Sequence, residues 1–160
     1  MAILEIYRQG HPVLKKKSKA VKTITPTHVK LIRDMIETMR AAPGIGLAAP
    51  QVGVSERIIV VALEQDAICI INPAISKKSG KQTGNEACLS VPGFEAPVQR
   101  FEKITVKGMN IKGEKVSLDL DGYYAVVFQH EIDHLDGILY VDRVKDPSKI
   151  TMIKKEDKSI

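Results

Sequence analysis

Val29, Ile32, Met35, Ile36 and Met39 recur at intervals of one or three, gathering apolar side chains on one helix face. Thr25 stands where an N-cap is needed, Pro26 suits a first turn, and Pro43-Gly44 stops the run. The stretch TPTHVKLIRDMIETMRAAPG therefore predicts a helix. RIIVVAL and AICIIN, both almost wholly apolar, have the pattern of short buried strands. ITVKGMNIKGEKVSLDL predicts two strands about a Lys-Gly-Glu turn, with alternation clear at Val116, Leu118 and Leu120. A second helix is expected over 122–136, closed by Gly137. A helix, several strands and a second helix make an α+β domain. The final KKEDKSI is polar and is expected to fray.

The second helix carries the candidate chemistry. QHEIDHLDG, residues 129–137, sets His130 and His134 four apart, so both imidazoles share one face as a ready pair of metal ligands. Glu131 is an acid beside the first of them. A catalytic metal centre wants three protein ligands and an open position. One downstream solution extends the motif to HExxHxxGxxH, but Tyr140 occupies its last position and is no ordinary ligand. Another uses a later acid, and Glu156 and Asp157 lie in a Lys-rich tail. Upstream, Cys88 sits among turn formers in GNEACLSVPG, and a thiolate suits Zn or Fe(II). Cys88 with the two histidines would make a three-ligand site with room for water. Cys69, inside AICII, reads as core. The plainer alternative is an amphipathic helix with two hydrogen-bonded histidines.

Composition limits the classes. A chain of 160 residues, 44% apolar and 27% charged, is one ordinary globular domain. Two cysteines are too few for a disulfide framework. No apolar run approaches the roughly 18 residues of a membrane span. MAILEIYRQGHPVL lacks a charged-then-apolar signal pattern, so a cytoplasmic location is expected. The net charge of +5 would suit a polyanion such as RNA, although a solvated basic surface is the simpler reading.

GIGLAAPQ at 44–51, EACLS at 86–90 and QHEIDH at 129–134 together resemble the signatures of the peptide deformylases, in order and separation as well as identity. GHPVL at 10–14 and INP at 71–73 agree, and the resemblance runs from about residue 6 to 142. It implies an α+β fold with antiparallel β-sheets packed around a central helix carrying the HExxH motif. A single catalytic domain would span 1–147, followed by a polar, basic tail over 148–160. The implied activity removes the formyl group from the initiator methionine of nascent polypeptides and releases formate. The implied cofactor is one divalent metal per chain, Fe(II) first, with Zn, Ni or Co able to serve.

The same resemblance assigns roles. Cys88, His130 and His134 would hold the metal, and Glu131 would move protons between water and the leaving amine. Gln51 and the Leu89 N–H would hydrogen-bond the oxyanion. Gly46 would let the substrate backbone approach, and Arg100 would pair with Asp133 behind the ligands. Ile45, Val126 and Tyr123 would wall the pocket for the first side chain, the last two lying four and seven residues before His130. Two positions depart from the family pattern: Ala87 replaces a usual glycine and Glu95 a common arginine. Ala87 costs about 1 kcal/mol if its φ must be positive, and only narrows the channel if the backbone is extended. An HExxH metalloprotease and a basic, metal-stabilised binding protein near the ribosome are the rival readings. The expected partner is an N-formyl-methionyl peptide, with a transient ribosome contact as a further expectation. Neither a membrane nor sequence-specific nucleic acid is expected.

Overall fold

In the computed structural model, which describes residues 2–153 and 159–160, the strand β2 (Ile58–Leu63) pairs with β1 (Gly46–Ala48) on one side and β3 (Asp66–Ser79) on the other. Ile59 and Val61 enter one apolar cluster, Ile58 and Val60 another, and all four are fully buried. A strand covered on both faces has no use for polar positions, hence the unbroken run in RIIVVAL. Beyond β3 come β6 (Lys103–Met109) and β7 (Lys115–Asp121), completing an antiparallel sheet of order β1-β2-β3-β6-β7.

Each face of this sheet carries one helix. α1 (Pro26–Ala41) packs Ile32, Met35 and Met39 against Leu47, Ile58, Val60 and Ile71. Its first turn is closed where the Thr25 N–H donates to His28 Nδ1 at 3.0 Å. α2 (Gly122–Leu135) covers the opposite face with Ala125, Val127, Phe128, Ile132 and Leu135, packed with Ile59, Val61 and Val106. Each fully buried Val, Leu, Ile or Phe here is worth about 1.5–3 kcal/mol over exposure, so the helix is firmly placed. Gly137 ends it with φ +74°, and its N–H donates to the His134 carbonyl. A Cβ at that position would strike the Lys15 carbonyl. Glycine is required there.

A second sheet was not legible beforehand. β4 (Gln82–Cys88) and β5 (Val91–Arg100) form a hairpin, and β8 (Thr151–Met152) adds to β5 opposite Phe94 and Glu95. Their cluster includes Cys88, Val91, Val98, Leu139 and Tyr140. The histidines of α2 reach across to β4, so the helix serves both sheets.

Two expectations change. AICIIN is the start of a 14-residue strand rather than a short one. It passes Pro73 by shifting register between Ile71 and Ala74, with Asn72 at φ +53°. A bulge accommodates the proline, which has no N–H for the ladder. The Asn72 side chain then donates to the Val21 carbonyl and accepts from the Val21 N–H. The frayed tail is corrected at Ile160, which is 1% exposed and belongs to the α2 cluster. KKEDK, over 154–158, lies outside the described residues. No helix of the described residues is long and apolar enough to cross a membrane.

Candidate metal centre

β4 ends at Cys88, and the 3.6-residue period of α2 turns His130 and His134 toward it. Ligand atoms of these three buried residues all lie within 4.8 Å of one another. Cys88 Sγ stands 3.4 Å from His134 Nε2. His130 is oriented from behind, its Nδ1 2.8 Å from Glu86 Oε1. That contact leaves His130 Nε2 buried with no hydrogen-bond partner among the described residues, and His134 Nδ1 is likewise unpartnered. An orphaned buried nitrogen costs about 1–3 kcal/mol, which a bound cation would recover at His130 Nε2. Burial first, then His130 and Arg100, lowers the His134 pKa well below its ordinary value, keeping the ring neutral. Burial, and next the Glu131 charge, pushes the Cys88 thiol up against hydrogen bonds from Ser90 and Val91. Coordination to a cation would deprotonate it outright. One sulfur and two imidazoles fit a tetrahedral or five-coordinate divalent ion with an open position.

Glu131 is fully buried and neither carboxylate oxygen has a hydrogen-bond partner among the described residues. Burial first and the Glu86 charge second raise its pKa well above the carboxylate range, with Arg100 opposing. A carboxyl shifted upward in this way takes up a proton more readily than an exposed one, as a proton-transfer group must. Gly46 stands directly against it: a Cβ there would lie 2.5 Å from Glu131 Oε2. Glycine at 46 thus makes room for the carboxylate, a reason distinct from substrate approach. Gln51 is buried at the same centre, its Nε2 3.1 Å from Ser90 Oγ and 3.6 Å from Cys88 Sγ. Its Oε1 accepts from the Ala48 N–H at 2.9 Å, which fixes the amide's orientation.

Behind the ligands lies a buried ionic chain. Arg100 donates from Nε and one terminal nitrogen to both oxygens of Glu86, at 2.8 and 2.7 Å, and from the other to Asp133 at 2.6 Å. Arg143, itself exposed, closes the outer end of the chain on Asp133 through two further bonds. Burial alone would raise the Glu86 pKa, but hydrogen bonds from Arg100 and His130, with their charges, hold it down at about 2. The Arg100–Asp133 pair matches expectation; Glu86 and Arg143 were missed. Glu86 stands two residues before Cys88 inside EACLS, but the ladder is irregular between them, so simple alternation along a strand did not place it at the site. Arg143 had no local signal.

Of the residues expected to wall a pocket, Ile45 and Val126 pack on the α2 cluster, while Tyr123 is half exposed. Burial, then Glu86 and Glu131, raises the Tyr123 pKa. Ala87 lies in the extended β4, not at positive φ, so its methyl imposes no backbone strain. Glu95 is 4% exposed, so its carboxylate is held inside rather than displayed where a flexible arginine would reach out. Tyr140 is no ligand: its hydroxyl donates to the Phe94 carbonyl and its ring stacks on His130 at 5.9 Å. Cys69 has its pKa pushed up to about 12 by burial and packs in the α1 cluster as core.

Residues 3–149 match the polypeptide deformylase family model. A peptide deformylase of Symbiobacterium thermophilum is 53% identical over 146 residues, covering 89% of this chain and 67% of that one. The crystal structure of a peptide deformylase from Synechococcus elongatus in complex with actinonin superposes with a TM-score of 0.89 at 39% identity, covering 91% of this chain and 81% of that one. A Met-Ala-Ser-bound class I type b peptide deformylase from Acinetobacter baumannii gives 0.86 at 35% identity, covering 89% and 98%.

Proposed function

Because the chain belongs to the polypeptide deformylase family, a metal-dependent hydrolase of N-formyl peptides, we propose that Cys88, His130 and His134 hold its metal and Glu131 serves as acid and base. The observation that carries this reading is the pairing of a three-ligand cluster with an unpartnered, buried carboxyl beside it. When bound, the metal supplies Lewis acidity and lowers the pKa of the attacking water. Glu131 accepts a proton from that water and delivers it to the departing amine. The formyl C–N bond breaks, leaving formate and a free amino terminus. Gln51 Nε2 and the Leu89 N–H donate to the oxygen that becomes anionic on the way. Arg100, Glu86 and Asp133 hold His130 and the helix in register.

The resident metal of this reading is Fe(II), with Zn, Ni or Co able to occupy the same set. Ile45 and Val126, with Tyr123 at the rim, take the first side chain, methionine; the Met-Ala-Ser carried by the Acinetobacter baumannii relative is of that kind. The catalytic unit spans 1–147, with the basic segment after it and a transient ribosome contact in the cytoplasm. Formate release from formyl-Met-Ala-Ser under nitrogen tests the substrate assignment. Acetyl-Met-Ala-Ser, one methyl larger at the reacting carbon, is expected to react 10- to 100-fold more slowly, since overpacking costs about 1–3 kcal/mol. Equal rates, or cleavage of an internal amide, would contradict it.

A further inference from the structure

Ile160 sits in the pocket that the substrate's first residue would need. Its N–H donates to the Ala87 carbonyl at 2.8 Å, and its carbonyl accepts from the Leu89 N–H at 3.3 Å. These are the two bonds a parallel strand makes around a single residue, here Cys88. The side chain is 1% exposed and shares an apolar cluster with Ala125 and Phe128, against which Ile45 and Val126 pack. The attraction is the site itself: an apolar hollow with a strand edge offering one acceptor and one donor, which is how extended peptides are captured.

We infer that Ile160 is a tethered competitor for the enzyme's own substrate site. This rests on the deformylase reading of that site. The Leu89 N–H cannot serve a substrate oxygen while it binds the Ile160 carbonyl, and the walls at Ile45 and Val126 cannot receive a second side chain. Substrate therefore binds only the fraction of molecules in which Ile160 has left, and its apparent affinity falls by that fraction. Because Ile160 belongs to the same chain as the site, its docking is intramolecular, so a weak contact suffices.

Steady-state formate release from formyl-Met-Ala-Ser should be compared among the wild type, Ile160→Asp, Ile160→Met and a chain ending at Ser159. Ile160→Asp and the shortened chain should show a KM lower by about tenfold with kcat unchanged, because only docking is lost. Ile160→Met, which keeps an apolar side chain, should stay near the wild-type KM. Amide exchange at Leu89 gives a readout apart from activity: protection in the wild type and Ile160→Met, and faster exchange in Ile160→Asp. An unchanged KM in Ile160→Asp, or equal exchange at Leu89, would overturn the inference. So would a wild-type KM that rises with enzyme concentration, since Ile160 would then act on a second copy. If no form released formate but Leu89 exchange still responded to Ile160, docking would stand and the substrate reading would fail.

Discussion

The two sides of the metal centre are built on different logic. On the helix side, His130, Glu131 and His134 come from five consecutive residues, and the helical period alone sets their relative directions. On the strand side, Cys88 is placed by a hairpin register, and Glu86 depends on Arg100, which answers also to Asp133 on the helix. The helix supplies a preset pair; the strand supplies the third ligand only when the tertiary structure is complete. The ionic chain joins the two sides, since Glu86 touches His130 while Arg100 touches both Glu86 and Asp133. A site of this design should fail differently according to which side is cut.

Loss of the strand-side ligand is the largest expected effect. Cys88→Ala should purify with little metal and essentially no activity, whereas Cys69→Ala, a core change, should keep about one ion per chain by elemental analysis. Gln51→Ala removes one oxyanion donor and should lower kcat by about 100- to 1,000-fold with metal content unchanged. The same substitution frees the Ala48 N–H and the Ser90 hydroxyl, so a modest drop in melting temperature should accompany it.

The link between the two sides gives a smaller, pH-dependent signature. Glu86 titrates near 2 when folded, below its usual value of 4.5. A depressed folded pKa means the unfolded chain takes up the proton first, so this stabilisation is full above pH 4.5 and is lost as pH falls toward 2. Urea midpoints should therefore drop between pH 5 and 3 in the wild type and drop less steeply in Glu86→Gln. At pH 7 the variant should be less stable by about 3 kcal/mol, because Arg100 stays buried with one partner fewer. Equal pH slopes would remove Glu86 from the link.

The contrast also explains what could be read from the chain. α2 was legible to within one residue, because apolar periodicity and Gly137 mark its ends locally. β2 and β7 were legible for the same reason, one by its unbroken apolar run and the other by alternation at Val116, Leu118 and Leu120. β4 and β5 were not: QTGNEAC and VPGFEAPVQR hold Gly84, Pro92, Gly93 and Pro97 and show no clean period. Their strand character comes from pairing with each other, a property of the register and not of either segment. Arg143 and Ile160 escaped for a related reason. Arg143 acts on Asp133 across the turn that follows α2, and Ile160 acts on β4 from the end of a polar run whose composition points to solvent. The candidate ligands could be named because their chemistry is carried by residue type and spacing, and the Arg100–Asp133 pair through the family resemblance; Glu86 and Arg143 behind them became legible only once folded.

The most direct test separates holding the metal from using it. Glu131 lies beside the ligand cluster with both oxygens unpartnered, and it is assigned to proton transfer and not to coordination. Glu131→Ala should be assayed for bound metal and for formate release from formyl-Met-Ala-Ser on the same anaerobic preparation. The account predicts a metal content equal to wild type and a kcat lower by about 100- to 10,000-fold. Wild-type turnover in the metal-loaded variant would contradict it.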